Sequence, residues 1–134
     1  MADNDAVAAV VELLADLAGG RVYGGKLPRS EGEHMPREAI VVRAAGGAGT
    51  FGGGYMPTID DRVDVRCYGA TDWEAKQLSH AASRRLHRVD DAQTAYGRVF
   101  WARRGGGATD VTETETGWPL TLTSWQVYGD WLDD

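Results

Sequence analysis

Residues 61–87 contain the pattern that most constrains the fold: a strand, a glycine turn and a capped helix in direct succession. Three apolar side chains alternate with three charged ones, in the order Arg62, Val63, Asp64, Val65, Arg66 and Cys67. This alternation predicts a strand with one buried face and one polar face. Gly69 breaks the strand, and the spacing Thr71-x-x-Glu74 is that of a capping box that begins a helix. The unit indicates a scaffold rather than a catalytic arrangement.

Cys67 is the single cysteine of the chain, so we expect no internal disulfide. Because it shares the apolar strand face with Val63 and Val65, we interpret it as a small core residue. A Cys–His dyad would instead need the thiol at an open cleft. A lone cysteine also fits synthesis in a reducing cytoplasm.

The segments before this unit predict one helix and two strands. Apolar residues recur at helical spacing near the N-terminus: Val7, Val10, Val11, Leu14 and Leu17. Gly19-Gly20 is expected to stop this helix. Residues 21–24 are a short strand candidate and residues 26–37 a loop. Residues 39–43 form a β-branched run typical of a strand buried on both faces, and residues 44–57 form a glycine-dense loop.

Three further strands are predicted after the second helix, over residues 97–103, 109–115 and 120–128. The middle strand is polar and threonine-rich, as expected of a sheet edge. The last strand changes its apolar face along its length, which predicts a bulge near Ser124. The order α-β-β-β-α-β-β-β indicates an α+β fold, with two helices packed on a mostly antiparallel sheet, in a single domain over residues 1–134.

The patterns that would indicate an enzyme are incomplete. Residues 47–52 match G-x-G-x-x-G, but the dinucleotide fingerprint needs a helix at that loop and the next predicted element is a strand. His34, His80 and His87 lack a metal-binding spacing, since the last two stand about 10 Å apart along one helix. The paired aspartates lie at element ends, where they usually serve as solvated caps. We therefore expect no catalytic residues, no metal and no cofactor.

The overall charge limits the classes of partner. A net charge of −6 argues against broad binding to a phosphate backbone. The N-terminus is acidic where a secretory signal needs basic residues, and no apolar run is long enough to span a bilayer. We expect no association with membranes.

The polar face of the second helix is the first candidate interface. It carries Trp73, Gln77, His80, Arg84 and Arg88 opposite the apolar stripe. A tryptophan among cationic side chains at helical spacing is typical of a protein contact surface. Two other interpretations stay open: the indole folds over the helix N-terminus, and the arginines only complement the helix dipole.

Two more segments are candidate contacts with a partner. Phe51 and Tyr55 lie in the glycine-dense loop, which we expect to become ordered on assembly, and Thr112 and Thr114 lie on the polar edge strand. The chain also has five tryptophans, more than a core of this size needs. Some of them should therefore become buried only in an assembly.

This succession of elements resembles the tail terminator, or tail completion, proteins of long-tailed bacteriophages. The matching pieces begin with the leading helix, Val22-Tyr23 with Leu27-Pro28, and the apolar strand at residues 39–43. The glycine-rich loop follows, and then the strand–helix unit at residues 63–71 and 74–86. The similarity covers the chain up to about Arg88 and fades towards the C-terminus.

The resemblance implies a non-enzymatic subunit of a homohexameric ring at the head-proximal end of the tail tube. Such a ring ends tube polymerisation and joins the tail tube protein to the head connector or stopper, and DNA only passes through its lumen. It would be made in the host cytoplasm and reside in the neck of the virion. A head–tail adaptor, stopper or other neck protein is the first alternative. A cytosolic small-ligand or enzyme domain is the second.

Overall fold

The computed structural model describes residues 5–45 and 59–131. Three α-helices lie in this part of the chain: α1 (Asp5–Leu13), α2 (Arg29–Gly32) and α3 (Asp72–His87). The strands are β1 (Val22–Gly24), β2 (Ala39–Ala44), β3 (Ile59–Tyr68), β4 (Ala92–Thr94), β5 (Gly97–Arg104), β6 (Thr109–Thr112) and β7 (Pro119–Trp131). The predicted order corresponds to α1, β1, β2, β3, α3, β5, β6 and β7, and the short elements α2 and β4 are additional.

The strands form one mixed sheet in the order β1-β2-β3-β7-β5-β4, and β6 pairs with β7 beside this path. β1 and β2 are parallel, whereas the other pairings between described strands are antiparallel. Helices α1 and α3 pack on the same face of the sheet, which we call the helix face, and the opposite face is the outer sheet face. The predicted α+β class is confirmed.

Strand β7 is central to the sheet. It pairs with β3 over ten consecutive residue pairs without a break in register, while its other edge pairs first with β6 and then with β5. The bulge predicted near Ser124 is therefore wrong. An apolar cluster covers each face of β7. The strand can therefore carry apolar side chains on both faces without a bulge. The irregularity lies in β5 instead, between Val99 and Trp101.

The main core lies between the sheet and helices α1 and α3. Val63, Val65 and Cys67 are fully buried in it, as the alternation along β3 predicts. The helices and the neighbouring strands contribute the residues packed around them, including Val10, Leu14, Ile40, Val42, Leu78, Leu86, Val99, Trp125 and Val127. The strand–helix unit seen in the sequence thus forms the centre of the fold.

A second apolar cluster covers part of the outer sheet face. It consists of Ala39, Val41, Tyr68 and Leu120, with Leu27, Met35, Trp118 and Leu122 packed against them. Neighbours along a strand point to opposite faces. Ile40 and Val42 of β2 therefore join the main core, while Ala39 and Val41 join the second cluster. The prediction that this strand is buried on both faces is confirmed.

The sequence predicts a loop between β1 and β2, and the structure differs by one helical turn, α2. The buried Glu31 in this turn binds two side chains. Arg37 donates hydrogen bonds from Nε to Oε2 (2.6 Å) and from Nη2 to Oε1 (2.9 Å), and the Tyr23 hydroxyl donates to Oε1 (3.0 Å). These bonds hold a helical turn within a segment whose prolines and charged residues predict a loop.

Helix α1 ends at Leu13, earlier than the glycine pair predicts. Leu14 is nevertheless buried and Leu17 packs against the core. The chain then passes through a 3₁₀ turn, Ala18–Gly20, in which all three residues have positive φ. Apolar contacts at near-helical spacing therefore continue through non-helical backbone, which is why the sequence pattern overestimates the length of α1.

Candidate interaction surfaces

Hydrogen bonds at the start of α3 hold the helical turn that carries Trp73. Thr71 Oγ1 accepts a hydrogen bond from the backbone N–H of Glu74 (3.1 Å), and Glu74 Oε1 accepts one from the backbone N–H of Ala70 (3.0 Å). The capping box is confirmed, with its second bond one residue upstream of the usual position. Trp73 follows in the first turn and is 70% exposed. An indole folded over the helix N-terminus would be covered, so the structure contradicts that alternative.

The outer stripe of α3 comprises Trp73, Gln77, His80, Arg84 and Arg88, and all five residues are exposed. They are spaced three or four residues apart, so they lie along one side of the helix. The opposite side, which includes Leu78, Ala82 and Leu86, is buried in the main core. The structure therefore places the predicted helix residues on one continuous surface.

Two neighbouring arginines of α3 have different surroundings. Arg85 Nη1 donates hydrogen bonds to Asp16 Oδ1 (2.6 Å) and to the carbonyl oxygen of Leu13 (3.0 Å), which ties α3 to the end of α1. The exposed Arg84 makes no hydrogen bond or ion pair with any described residue. The charge of Arg84 is therefore open to a partner, whereas that of Arg85 is used within the fold.

The remaining predicted contacts are dispersed. β6 is shorter than predicted, because its pairing with β7 ends at Thr112. The chain then forms a turn in which the Gly117 N–H donates a 2.8 Å hydrogen bond to the carbonyl oxygen of Glu113. Thr112 is exposed on the strand, whereas Thr114 is exposed in the turn and does not belong to the strand. Phe51 and Tyr55 lie outside the described residues.

The tryptophans differ in burial. Trp125 is fully buried. The rings of Trp125 and His87 form a T-shaped pair with their centroids 5.0 Å apart. Trp101 and Trp118 are half-buried, and Trp73 is exposed. The expectation that the core cannot hide every tryptophan is met by Trp73. Burial of Trp73 in an assembly remains a prediction.

The outer sheet face carries a surface that the sequence analysis did not identify. Cross-strand register brings five arginines onto it from three strands: Arg43 on β2, Arg62 and Arg66 on β3, and Arg98 and Arg103 on β5. The Trp101 ring stacks on Tyr128 with centroids 5.2 Å apart, and the Arg103 guanidinium lies 4.5 Å from the Trp101 centroid. Arginine and aromatic side chains are enriched in protein interfaces. The alternation along β3 revealed only the charged positions of that one strand.

The surface cavities of the described part of the chain include the following two. The larger, of about 400 Å³, has walls of mixed polar and apolar character and lies between α1 and the ends of β1 and β2; it is lined by Val7, Ala8, Val11, Gly24, Gly25, Ala44 and Tyr96. The smaller, of about 220 Å³, opens on the outer sheet face and includes Lys26, Arg43 and Arg66. No described cysteine, serine or histidine lines either cavity.

The smaller cavity contains a hydrogen-bonded tyrosine. The Tyr68 hydroxyl donates to Glu113 Oε2 (2.7 Å). Burial, together with the negative charge of Glu113, raises the pKa of Tyr68 to about 12. Tyr68 therefore stays protonated at neutral pH and acts as a structural donor between β3 and the turn after β6.

The single thiol has no access to a substrate. Cys67 is fully buried, and desolvation raises the pKa of its thiol to about 12. Within residues 5–45 and 59–131, no three His, Cys, Asp or Glu side chains cluster as they would around a metal ion. No helix in these ranges is both long and apolar enough to cross a bilayer.

The fold is similar to that of a chain in a solved structure titled the virion of a native gene transfer agent particle. The TM-score is 0.56 at 19% sequence identity, and the match covers 92% of each chain. No protein-family model matches the sequence, and no curated protein matches it. At this identity the match establishes a shared fold.

Proposed function

We propose that this protein is a non-enzymatic structural subunit of a phage-like virion and forms a homohexameric ring at the head-proximal end of the tail tube. In that position it ends tube polymerisation and joins the tail tube protein to the head connector. The observation that carries the proposal is the fold shared with a chain of the gene transfer agent virion over 92% of each chain. The similarity of residues 22–86 to tail terminators supports this position within the virion.

The surfaces of the subunit suit a ring. A ring is built from heterologous contacts, in which two different surfaces of the same subunit complement each other. The outer stripe of α3 and the outer sheet face are on opposite sides of the main core, and both carry exposed cationic side chains. The chain as a whole has a net charge of −6, so its acidic side chains outnumber the basic ones and can supply the complementary contacts.

The acidic balance also suits a lumen through which DNA passes. A surface that neutralised many phosphates would hold DNA tightly. On this proposal the arginines of α3 and of the outer sheet face contact protein partners, namely neighbouring subunits, the tail tube protein and the connector. Acidic surfaces face the lumen.

A null mutation of the gene tests the proposal. Cells that produce particles without this protein should accumulate tails longer than normal that do not join to heads, because nothing stops tube growth. Supply of the wild-type protein from a plasmid should restore both tail length and joining. Electron microscopy of the lysate measures tail length and the fraction of joined particles.

One outcome would replace the terminator role with that of a neck adaptor or stopper. If the null mutant made tails of normal length and heads that lost their DNA, the protein would act on the head side of the joint. A second check concerns chemistry. The combined replacement of His34, His80 and His87 by glutamine should leave particles able to assemble, unless His80 or His87 lies in a subunit contact. Stoichiometric metal in the purified protein would contradict the structural role.

A further inference from the structure

The smaller cavity collects positive charge that the fold does not neutralise. Its lining includes three cationic side chains, Lys26, Arg43 and Arg66. The same lining contains Glu113 as an acidic side chain. None of the three cations forms an ion pair with a residue in the ranges 5–45 and 59–131. The cavity therefore presents more positive charge than its own acid can neutralise.

Strand register holds two of these cations close together. Arg66 of β3 pairs across the sheet with Val41 of β2, and Arg43 lies two residues further along β2 on the same face. Diagonal neighbours of this kind have their Cα atoms about 7–8 Å apart. Two guanidinium groups at this spacing repel each other, and an anion bound between them would offset the repulsion.

The neighbouring acids bind hydroxyl groups instead of these cations. The two carboxylate oxygens of Glu113 accept hydrogen bonds from the hydroxyl groups of Tyr68 and Thr116. Asp64 of β3 accepts a hydrogen bond at Oδ1 from Ser124 Oγ (2.8 Å). Ser124 belongs to β7, which lies on the side of β3 away from β2. Neither acid therefore serves as the counter-ion of the cavity.

Arg66 has donor capacity that the fold leaves unused. Arg37, elsewhere in the subunit, binds Glu31 through Nε and Nη2, which is the two-bond geometry that suits a carboxylate. The Nε of Arg66 is buried and has no hydrogen-bond partner in the described part of the chain. Buried polar groups in native proteins nearly all have partners. Arg66 is therefore an arginine that lacks the acid that Arg37 has.

The size and walls of the cavity select among anions. Its volume of about 220 Å³ is below the range of roughly 300–1,000 Å³ found for drug-sized ligands. Leu27, Val41 and Trp118 add apolar surface to the walls, which suits the methylene groups of a side chain. A DNA phosphate carries a nucleoside on each side and is contacted by cations at an open surface. A single carboxylate side chain is therefore the anion that fits best.

We propose that the smaller cavity binds a glutamate or aspartate side chain from an acidic segment of another protein. Arg66 and Arg43 bind the carboxylate, Lys26 adds attraction at the rim, and the apolar walls contact the stem of the side chain. Charge complementarity of this kind gives a contact specificity and speed of formation. The inference deepens the proposed function, on which the presence of a protein partner in the virion rests, by naming the chemistry that recognises this partner.

An NMR titration of the purified protein tests the site. The probe is the α-amide of N-acetylglutamate, which carries one carboxylate, and its uncharged counterpart is the α-amide of N-acetylglutamine. The indole N–H resonance of Trp118, identified with Trp118→Phe, should shift with the first compound at constant ionic strength. The shift should saturate with a Kd on the order of 1 mM, as expected for a ligand of this size. The second compound should produce no saturable shift.

Substitutions locate the binding on the face. Arg43→Gln and Arg66→Gln should each weaken binding of the probe at least about 10-fold, because each removes charged hydrogen bonds to the carboxylate. Arg103→Gln is the matched control, since Arg103 is exposed on the same face outside the cavity lining, and it should bind the probe as the parent does. Circular dichroism checks the fold of each variant. Arg43 is exposed, so its variant remains informative if Arg66→Gln is unstable.

Several results would overturn the proposal. These are the absence of a saturable shift in the parent, equal shifts with both compounds, and equal binding by Arg43→Gln and the parent. Inorganic phosphate and a short DNA duplex are titrated in parallel. Tighter binding of either than of the probe, lost in Arg43→Gln, would assign the cavity to a phosphate group instead.

Sedimentation and particle assembly test the origin of the carboxylate. If a saturating concentration of the probe dissociated oligomers of the purified protein, the occupant would be a second copy of this chain and the proposal would be overturned. In cells that produce particles, Lys26→Glu combined with Arg43→Glu should lower the fraction of joined particles at least about 10-fold. Normal joining would overturn the protein contact. Probe binding does not depend on a ring, so this inference and the null-mutant test of the proposed function can fail separately.

Discussion

A Cβ atom on Gly69 would stand 2.4 Å from the backbone nitrogen of Ala75. Gly69 is the buried residue at the end of β3, and Ala75 is the first fully buried residue of α3. The glycine is therefore required by the close approach of strand and helix rather than by its backbone angles. This approach holds the first turn of α3, which carries Trp73, against the end of β3.

The first prediction concerns this contact. Gly69→Ala should lower the free energy of unfolding by about 1–3 kcal/mol, because the added methyl group has no room against backbone atoms. Urea unfolding measures the change. Gly106→Ala is the control, since a Cβ there meets nothing within 4 Å, and its stability should be that of the parent. Equal stability of the two variants would mean that the strand and helix separate at little cost.

The second prediction concerns Cys67. Because the thiol is fully buried and its pKa is raised to about 12, a thiol reagent should label it slowly in the native protein and rapidly in urea. Ala70→Cys provides an exposed thiol only three residues away and should react at once in native conditions. Equally fast labelling of the parent and of this variant would contradict the position of β3 in the core.

The third prediction concerns pH and Glu31. Hydrogen bonds from Arg37, followed in importance by that from Tyr23, lower the pKa of this carboxyl group in the folded state against the opposing effect of burial. A lowered folded pKa stabilises the fold above about pH 4.3, the unperturbed value, and this contribution is lost as pH falls through the folded pKa.

The matching variant is Glu31→Gln, which keeps the shape but removes the charge. It should cost about 1–3 kcal/mol at pH 7, and its stability should approach that of the parent as both are acidified. Unfolding curves at pH 7, 5 and 3 measure the difference. Glu33→Gln, at an exposed position nearby, should change stability little at any pH. A difference between Glu31→Gln and the parent that stayed constant with pH would show that the charge of Glu31 is unimportant.

The fourth prediction separates folding from assembly at two adjacent arginines. Arg85→Glu should destabilise the subunit by about 1–3 kcal/mol, because it removes hydrogen bonds to Asp16 and Leu13 and places two acids together. Arg84→Glu should change stability by less than about 0.5 kcal/mol. Combined with Trp73→Ala, it should nevertheless weaken ring or neck contacts while the fold stays intact. Normal particles from that double variant would exclude the outer stripe of α3 from the interface.

Local patterns in the sequence were sufficient for most of the fold. Alternation along residues 62–68 and helical spacing along residues 74–86 depend on which face each side chain occupies, and burial requires that face to be apolar. The same logic correctly predicted the burial of Cys67 and the exposure of the stripe from Trp73 to Arg88. The structure adds that the stripe is continuous and that Arg84 makes no ion pair within residues 5–45 and 59–131.

The features that the sequence did not reveal depend on contacts between distant segments. The turn α2 is associated with the bonds of Glu31 to Tyr23 and Arg37, and the regular course of β7 depends on a second apolar cluster supplied partly by residues before β2. The five arginines of the outer sheet face come together through strand register, which no single strand specifies.

The sequence by itself determined which residues of each helix and strand face the core, because side-chain periodicity follows from backbone geometry alone. It also determined the start of α3, since the capping residues are local. Only the tertiary structure decided strand order and the gathering of arginines on the outer sheet face. These depend on packing between residues far apart in the chain, whose energies local patterns do not encode.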